Sequence, residues 1–158
     1  MKENRFVVYR LQKLAILLRI LGFDVLHFQD DYISVINLTK REYRILLSRV
    51  KFLRKLPWIF YLDKDDLDGQ LEQIIKELKL KVNKENLFSR CSNCNNFLQK
   101  IKEEEVKGDV PLDVRGRGYW FKRCLNCGKI FWNGNHMPTL EEKLRKIGVI
   151  EEKNEDIR

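Results

Sequence analysis

Apolar positions in the first half of the chain switch repeatedly between the period of a strand and the period of a helix. Phe6-Val7-Val8-Tyr9 is a short β-rich run bounded by charges and predicts a first strand. From Leu11 the apolar residues fall at Leu11, Leu14, Ala15, Leu17, Leu18 and Leu21, a helical period that Gly22 stops. Asp24 to Phe28 reads as a second strand, Ile33 to Glu42 as a short helix, Arg44 to Leu47 as a third strand and Trp58 to Leu62 as a fourth. Leu67 to Leu80 returns to helical spacing, with Asp65, Asp66 and Asp68 at its start, where the helix dipole favours acids. Strands alternating with helices through short connections imply an α/β fold, a small parallel sheet of about four strands with flanking helices. This unit is expected to span residues 1–82.

The pattern changes after that. A second unit, expected over residues 86–137, holds all four cysteines together with Trp120 and Trp132. Between the cysteine pairs lie a charged insert, Lys100 to Lys107, and a Gly-rich basic segment, Arg115-Gly116-Arg117-Gly118. Thr139-Leu-Glu-Glu142 has the form of a capping box, so a helix is expected over 138–148 with Thr139 as its N-cap. The charged tail over 149–158 is expected to be disordered.

The cysteines fall as Cys91-Ser-Asn-Cys94 and Cys124-Leu-Asn-Cys127. Thiolates two residues apart on a tight turn supply two ligands each, and two such turns complete the tetrahedron that Zn²⁺ requires. Asn95-Asn96 after the first pair and Gly128 after the second suit such turns. The expectation is a structural four-cysteine zinc ribbon, with no position left open for water or substrate. Iron is the alternative on a tetrahedral sulfur site. Two disulfides are disfavoured by the expected compartment, the cytoplasm, where thiols stay reduced. That location is read from the N-terminus, Met1-Lys2-Glu3-Asn4-Arg5, which has no apolar signal core. The 29 residues from Asn95 to Arg123 exceed usual ribbon spacing and predict a hairpin arm.

Charge narrows the partners. The formal net charge is +8, which favours an anionic partner, with nucleic acid first and an acidic protein or membrane surface behind it. No apolar run reaches the roughly 20 residues that cross a bilayer, so no membrane span is expected. Candidate phosphate contacts are Arg10, Lys13 and Arg19 on the first helix and Arg44, Arg49, Lys51, Arg54 and Lys55 in the basic stretch after the second. In the ribbon, Arg115, Arg117, Trp120, Lys122 and Arg123 interleave cations with aromatics, as single-stranded RNA contacts do. Trp120 is equally readable as packing of the small ribbon core.

The order of these motifs resembles the Mut-seven C-terminal ribonuclease domain, a PIN-like fold followed by a zinc ribbon. The resemblance rests on Phe6-Val-Val-Tyr-Arg10, Lys13-Leu-Ala15, Leu21-Gly-Phe-Asp24, Arg44-Ile-Leu-Leu-Ser-Arg49, Asp65-Asp66 with Gln70-Leu71, Phe88-Ser-Arg-Cys91, and Arg123-Cys-Leu-Asn-Cys-Gly128 followed by Trp132, Gly134 and His136. It implies a ribonuclease whose carboxylates, at the carboxyl ends of the strands, hold Mg²⁺ or Mn²⁺ to activate water. The family pattern places acids at positions where this chain has Tyr9, Tyr32 and Val50. A phenol is a poor ligand for a hard cation and valine is none. Asp30, Asp31, Asp65 and Asp66 are the remaining candidates for a displaced catalytic set, Mg²⁺ or Mn²⁺ being required only in that case.

Three functions therefore stand at this point. The first is an RNA-binding protein with a degenerate nuclease domain, taking single-stranded or structured RNA, ribosomal and transfer RNA included. The second is an active ribonuclease using displaced acids, and the third is an adaptor for an acidic protein.

Overall fold

The computed structural model describes residues 4–106, 108–134 and 136–150. Strands β1 (Arg5–Tyr9), β2 (Asp24–Phe28), β3 (Ile45–Ser48) and β4 (Ile59–Tyr61) form one parallel sheet in the order β2-β1-β3-β4. Helices α1 (Gln12–Ile20), α2 (Tyr32–Glu42) and α3 (Leu67–Glu77) cover it. The alternation along β1 sets the layers. Phe6 and Val8 face a core shared with α1 and α3, while Val7 and Tyr9 face a smaller one with Val35 of α2 and Leu53. Leu53 belongs to a 3-10 turn, Lys51–Lys55, that carries the chain from β3 back to β4.

The second sheet is antiparallel, with strands β5 (Leu98–Ile101), β6 (Phe121–Cys124) and β7 (Ile130–Trp132) in sequence order. Its two cysteine turns precede β5 and join β6 to β7, the arrangement of a zinc ribbon. The long insert is not the expected arm. Two 3-10 turns, Glu103–Val106 and Leu112–Val114, fold it back so that Val106, Val110 and Val114 pack on Phe121. Burying those valines removes the apolar surface that a protruding hairpin would leave in water.

Helix α4 (His136–Lys146) begins three residues before the expected N-cap, and Thr139 lies inside it. Pro138 is tolerated there because the first turn of a helix needs no backbone donor. Helix α4 returns to the first unit, where Leu144 is buried among the residues of the α1–α3 core. Val149 and Ile150, expected in the tail, pack on the same core. The remainder of that tail, Glu151 to Arg158, lies outside the described residues. Among the described residues no helix is long and apolar enough to cross a membrane.

Candidate nucleic-acid interface and metal centre

Four parallel strands point their carboxyl ends at one edge of the sheet, and the strand order reverses between β1 and β3. In open α/β sheets that reversal opens the crevice where ligands bind. Tyr9 and Arg10 stand at the end of β1, and Ser48, Arg49 and Val50 at the end of β3. The Tyr9 side chain does not reach outward as a ligand would. It is 1% exposed, and its ring packs with Val7, Val35, Leu46 and Leu53. Its hydroxyl donates to the Asp30 carbonyl at 3.3 Å. Ser48, fully buried and not singled out by the sequence, donates to the Tyr9 carbonyl at 3.3 Å and accepts from the Val50 amide at 3.1 Å. The strand ends at this reversal thus carry a buried phenol, a buried hydroxyl and a valine.

The displaced acids do not converge. Asp31 caps α2, accepting from the Ser34 amide at 3.0 Å and also from its hydroxyl, and these bonds hold its carboxyl below the usual range. Asp66 caps α3 through the Gly69 amide at 2.8 Å. Asp30 and Asp65 are exposed. Among the described residues, the four cysteines alone bring three or more His, Cys, Asp or Glu ligand atoms within reach of one ion. Mg²⁺ or Mn²⁺ would require oxygen ligands in number, and among the described residues no such cluster of carboxylates stands at the carboxyl edge.

Cations gather at that edge instead. Arg10 adopts the left-handed conformation (φ 61°), donates to the Gln29 carbonyl at 3.0 Å and lies 5.0 Å over the Tyr9 ring. Lys13 is exposed on the first turn of α1, and Arg49 is held by the Leu62 carbonyl at 3.3 Å. Lys51, Arg54 and Lys55 are exposed on the 3-10 turn, Arg54 over the Tyr61 ring at 5.0 Å. Beside them Tyr32 and Phe52 are exposed and meet edge to face at 5.1 Å. Arg10 and Lys13 thus follow the carboxyl end of β1, and Arg49, Lys51, Arg54 and Lys55 that of β3.

Arg44 is a correction. It is 8% exposed at the opposite, amino-terminal edge of the sheet, paired with Asp24 at 2.9 Å and Glu42 at 2.5 Å. Those carboxylates occupy the fork that a phosphate would need. Arg19 is a second correction, buried and donating to the carbonyls of Val25, Ser92 and Asn93 at 2.9, 3.1 and 3.2 Å. In the ribbon, Arg117 is exposed, whereas Arg115 is half-buried. Trp120 packs 5.7 Å from the Phe88 ring, and Lys122 donates to the Phe88 carbonyl at 2.8 Å. Burial, with Lys100 nearby, lowers the Lys122 pKa. Both side chains support the ribbon before anything else.

The candidate metal centre is built from two matched turns. The Asn95 amide donates to the Cys91 carbonyl at 2.9 Å, and the Gly128 amide to the Cys124 carbonyl at 2.8 Å. Asn95 (φ 70°) and Gly128 (φ 77°) take the left-handed conformation that each turn requires. The four sulfurs lie within 4.8 Å of one another, with Cys91 to Cys127 at 3.7 Å and Cys94 to Cys124 at 3.3 Å. Tetrahedral zinc with bonds of about 2.3 Å needs sulfurs about 3.8 Å apart, so the cluster can hold such an ion with small adjustment. Burial pushes the Cys91 thiol up to about 12. At Cys94 burial acts the same way but is outweighed by hydrogen bonds, those of Asn96 foremost, which bring it down to about 6. A bound cation would draw the remaining protons off.

Asn95 has a second role that its sequence position does not announce. Its amide oxygen accepts from the Val25 amide at 2.9 Å and its nitrogen donates to Asp24 at 2.8 Å. Val25 sits on the outer strand of the sheet, so Asn95 and Arg19 together satisfy its backbone amide and carbonyl on an edge that no strand among the described residues pairs. Asn95→Ala should cost about 2 kcal/mol, from an orphaned buried amide and a strained left-handed alanine. The urea midpoint measures this, and an unchanged midpoint would remove Asn95 as the link between sheet and ribbon.

A family model described as the Mut7-C RNAse domain matches residues 4–144. No curated protein and no solved structure matches the chain at a significant level. Because that one match runs unbroken from β1 through both cysteine turns and into α4, the chain belongs to the Mut7-C RNAse domain family.

Proposed function

We propose that this protein binds RNA through the cationic carboxyl edge of its sheet, does not cleave it, and uses the ribbon, stapled by structural zinc, as a second contact. The observation that carries this reading is Tyr9, whose buried ring fills the position where the family pattern has a metal-binding aspartate. Losing carboxylates from the strand ends that Arg10, Lys13, Arg49 and Lys51 follow raises the attraction of that edge for phosphate, so binding would persist where metal-assisted hydrolysis does not. Zinc is supported by the donor set, four thiol sulfurs in two turns, which matches its softness and tetrahedral preference. The substrate side is supported by the family, whose description is a ribonuclease domain. Ribosomal and transfer RNA are the proposed targets, and the cytoplasm the proposed location.

RNA affinity should fall steeply with salt because the contacts are mainly to phosphate. Replacing Arg49, Lys51, Arg54 and Lys55 together by glutamine should weaken all sequences and flatten the slope of log affinity against log salt by about three to four units. An unchanged slope would move the interface off the sheet. The same protein should show no cleavage with Mg²⁺ or Mn²⁺. Cleavage that EDTA abolishes, and that Asp65→Asn and Asp30→Asn each remove, would establish the displaced-acid nuclease instead.

An acidic protein partner is favoured by one observation, the exposure of Tyr32 (41%), Ile33 (59%) and Phe52 (57%) beside the same cations. Apolar contacts of that kind would keep binding alive at high salt, which separates this reading from RNA.

A further inference from the structure

The ribbon contains a cavity of about 500 Å³, formed where the folded-back insert meets β7 and the start of α4. Its walls include Tyr119, Phe131 and Trp132, and it is also lined by Asp113, Arg117 and Lys129. Close-packed interiors leave few voids larger than a water molecule, whereas small-molecule sites occupy 300–1,000 Å³. This volume belongs to the second class. Gly134 lies against the indole, where a Cβ would stand 3.2 Å from the Trp132 Nε1 and displace it by a few tenths of an ångström.

We propose that this cavity takes a single unpaired nucleobase of RNA, with guanine preferred. The inference rests on the RNA-binding reading above and adds to it a place and a base. Aromatic walls offer a stacking face to any base, and only an unpaired base has a face to offer. Cations stand at the same place to meet the attached phosphates. Arg117 is exposed and is fixed by donating to the Asp113 carbonyl, and the Lys129 ammonium lies 5.2 Å over the Phe131 ring. Left-handed Gly116 (φ 71°) and Gly118 (φ 73°) flank Arg117 and let its backbone come close to a sugar-phosphate chain.

The preference comes from Asp113. An ionised carboxylate only accepts hydrogen bonds, through two oxygens side by side. Guanine presents two adjacent donors on its Watson–Crick edge, N1–H and the N2 amino group. Adenine and cytosine present one amino group and uracil one N3–H. Guanine alone satisfies both oxygens at once.

The test uses the full-length protein with fluorescein-labelled RNA hexamers, all uracil except for G, A, C or U at the third position, read by anisotropy at low salt. The guanine hexamer should bind about tenfold tighter than hexauridine, the discrimination expected of a good two-bond base contact. Asp113→Asn, with metal content checked to confirm an intact ribbon, should abolish that difference. The guanine hexamer should account for that change by losing about tenfold, whereas hexauridine should lose less, because the single N3–H of uracil still finds the asparagine oxygen. Ultraviolet crosslinking of the unmutated protein should map to residues 112–119 or 129–132. Equal affinities for all four hexamers, or crosslinks confined to residues 51–55, would overturn the cavity proposal and leave RNA binding by the sheet standing. Failure of every hexamer to bind would overturn both.

Discussion

Cys124→Ser should release the metal, unfold the ribbon and lower the melting temperature of the sheet unit by about 10 °C. The first two effects follow from the cluster itself, since Cys124 is fully buried and a neutral serine hydroxyl is a poor donor to a soft site. The third follows from α4. That helix docks on the sheet unit through Leu144, with Leu140 and Ile147 against the same core, yet it is joined to that unit only through the ribbon. Once the ribbon is disordered, residues 89–133 become a flexible loop whose closure costs about 3 kcal/mol. In a protein of this size 1 kcal/mol moves the midpoint by about 3 °C, hence the expected shift. Metal analysis and melting followed by circular dichroism measure both quantities. A ribbon that stays folded and metal-loaded in Cys124→Ser would exclude it as a ligand. A sheet unit melting at the wild-type temperature would show that α4 docking contributes little.

What the sequence made legible was whatever is encoded locally. Strands and helices appeared at their observed places because a period of two or of 3.6 is complete within one element. The metal centre was legible because each pair of ligands is set by a turn of five residues, and Gly128 after the second pair announces the conformation that Asn95 adopts after the first. The pairing of a side chain with something distant in sequence was not legible. Arg19 reads as an exposed helix cation until the ribbon carbonyls of Ser92 and Asn93, more than 70 positions away, are brought to it. Arg44 sits in a basic stretch but meets Asp24, 20 positions earlier. One signal was available: Arg44 stands directly before an apolar strand, at a point where the chain enters the sheet.

The start of α4 was misplaced because Pro138 and Thr139 both suggest a helix beginning at themselves. The chain had already turned at Gly134, whose carbonyl accepts from the Met137 amide at 3.2 Å. The hairpin arm failed for another reason. Val106, Val110 and Val114 are spaced by four, so one face of a loosely coiled segment is apolar and finds Phe121. Spacing by four inside a charged insert is a signal that ligand counting overlooks.

Arg44→Met should destabilise the protein by about 2–3 kcal/mol at neutral pH, because two half-buried carboxylates lose the buried guanidinium that pairs with them. Arg44 joins Asp24 on β2 to Glu42 at the end of α2 and reaches the Phe6 carbonyl on β1 at 3.4 Å, so three elements meet on one guanidinium. Asp24 also holds Asn95, which extends the junction to the ribbon. Methionine retains the apolar stem and removes the charge, so packing is largely preserved. The pH dependence identifies the cause. Burial alone would raise the Asp24 carboxyl, but hydrogen bonds from Arg44 and Asn95 and the charges of Arg44 and Arg90 outweigh it and hold the group below its ordinary value. A carboxyl depressed by folding contributes stability that is fully present above its unfolded pKa, near 3.9, and lost as pH falls through the folded one. The difference between wild type and Arg44→Met should therefore be largest at pH 7, begin to shrink below about pH 4, and vanish only once the pH falls below the depressed folded-state value of Asp24. Urea unfolding at pH 7 and pH 3 compares them. An equal loss at both values would place the effect in the side-chain stem and its neighbours, and the ion pair would no longer explain how the sheet holds its ribbon.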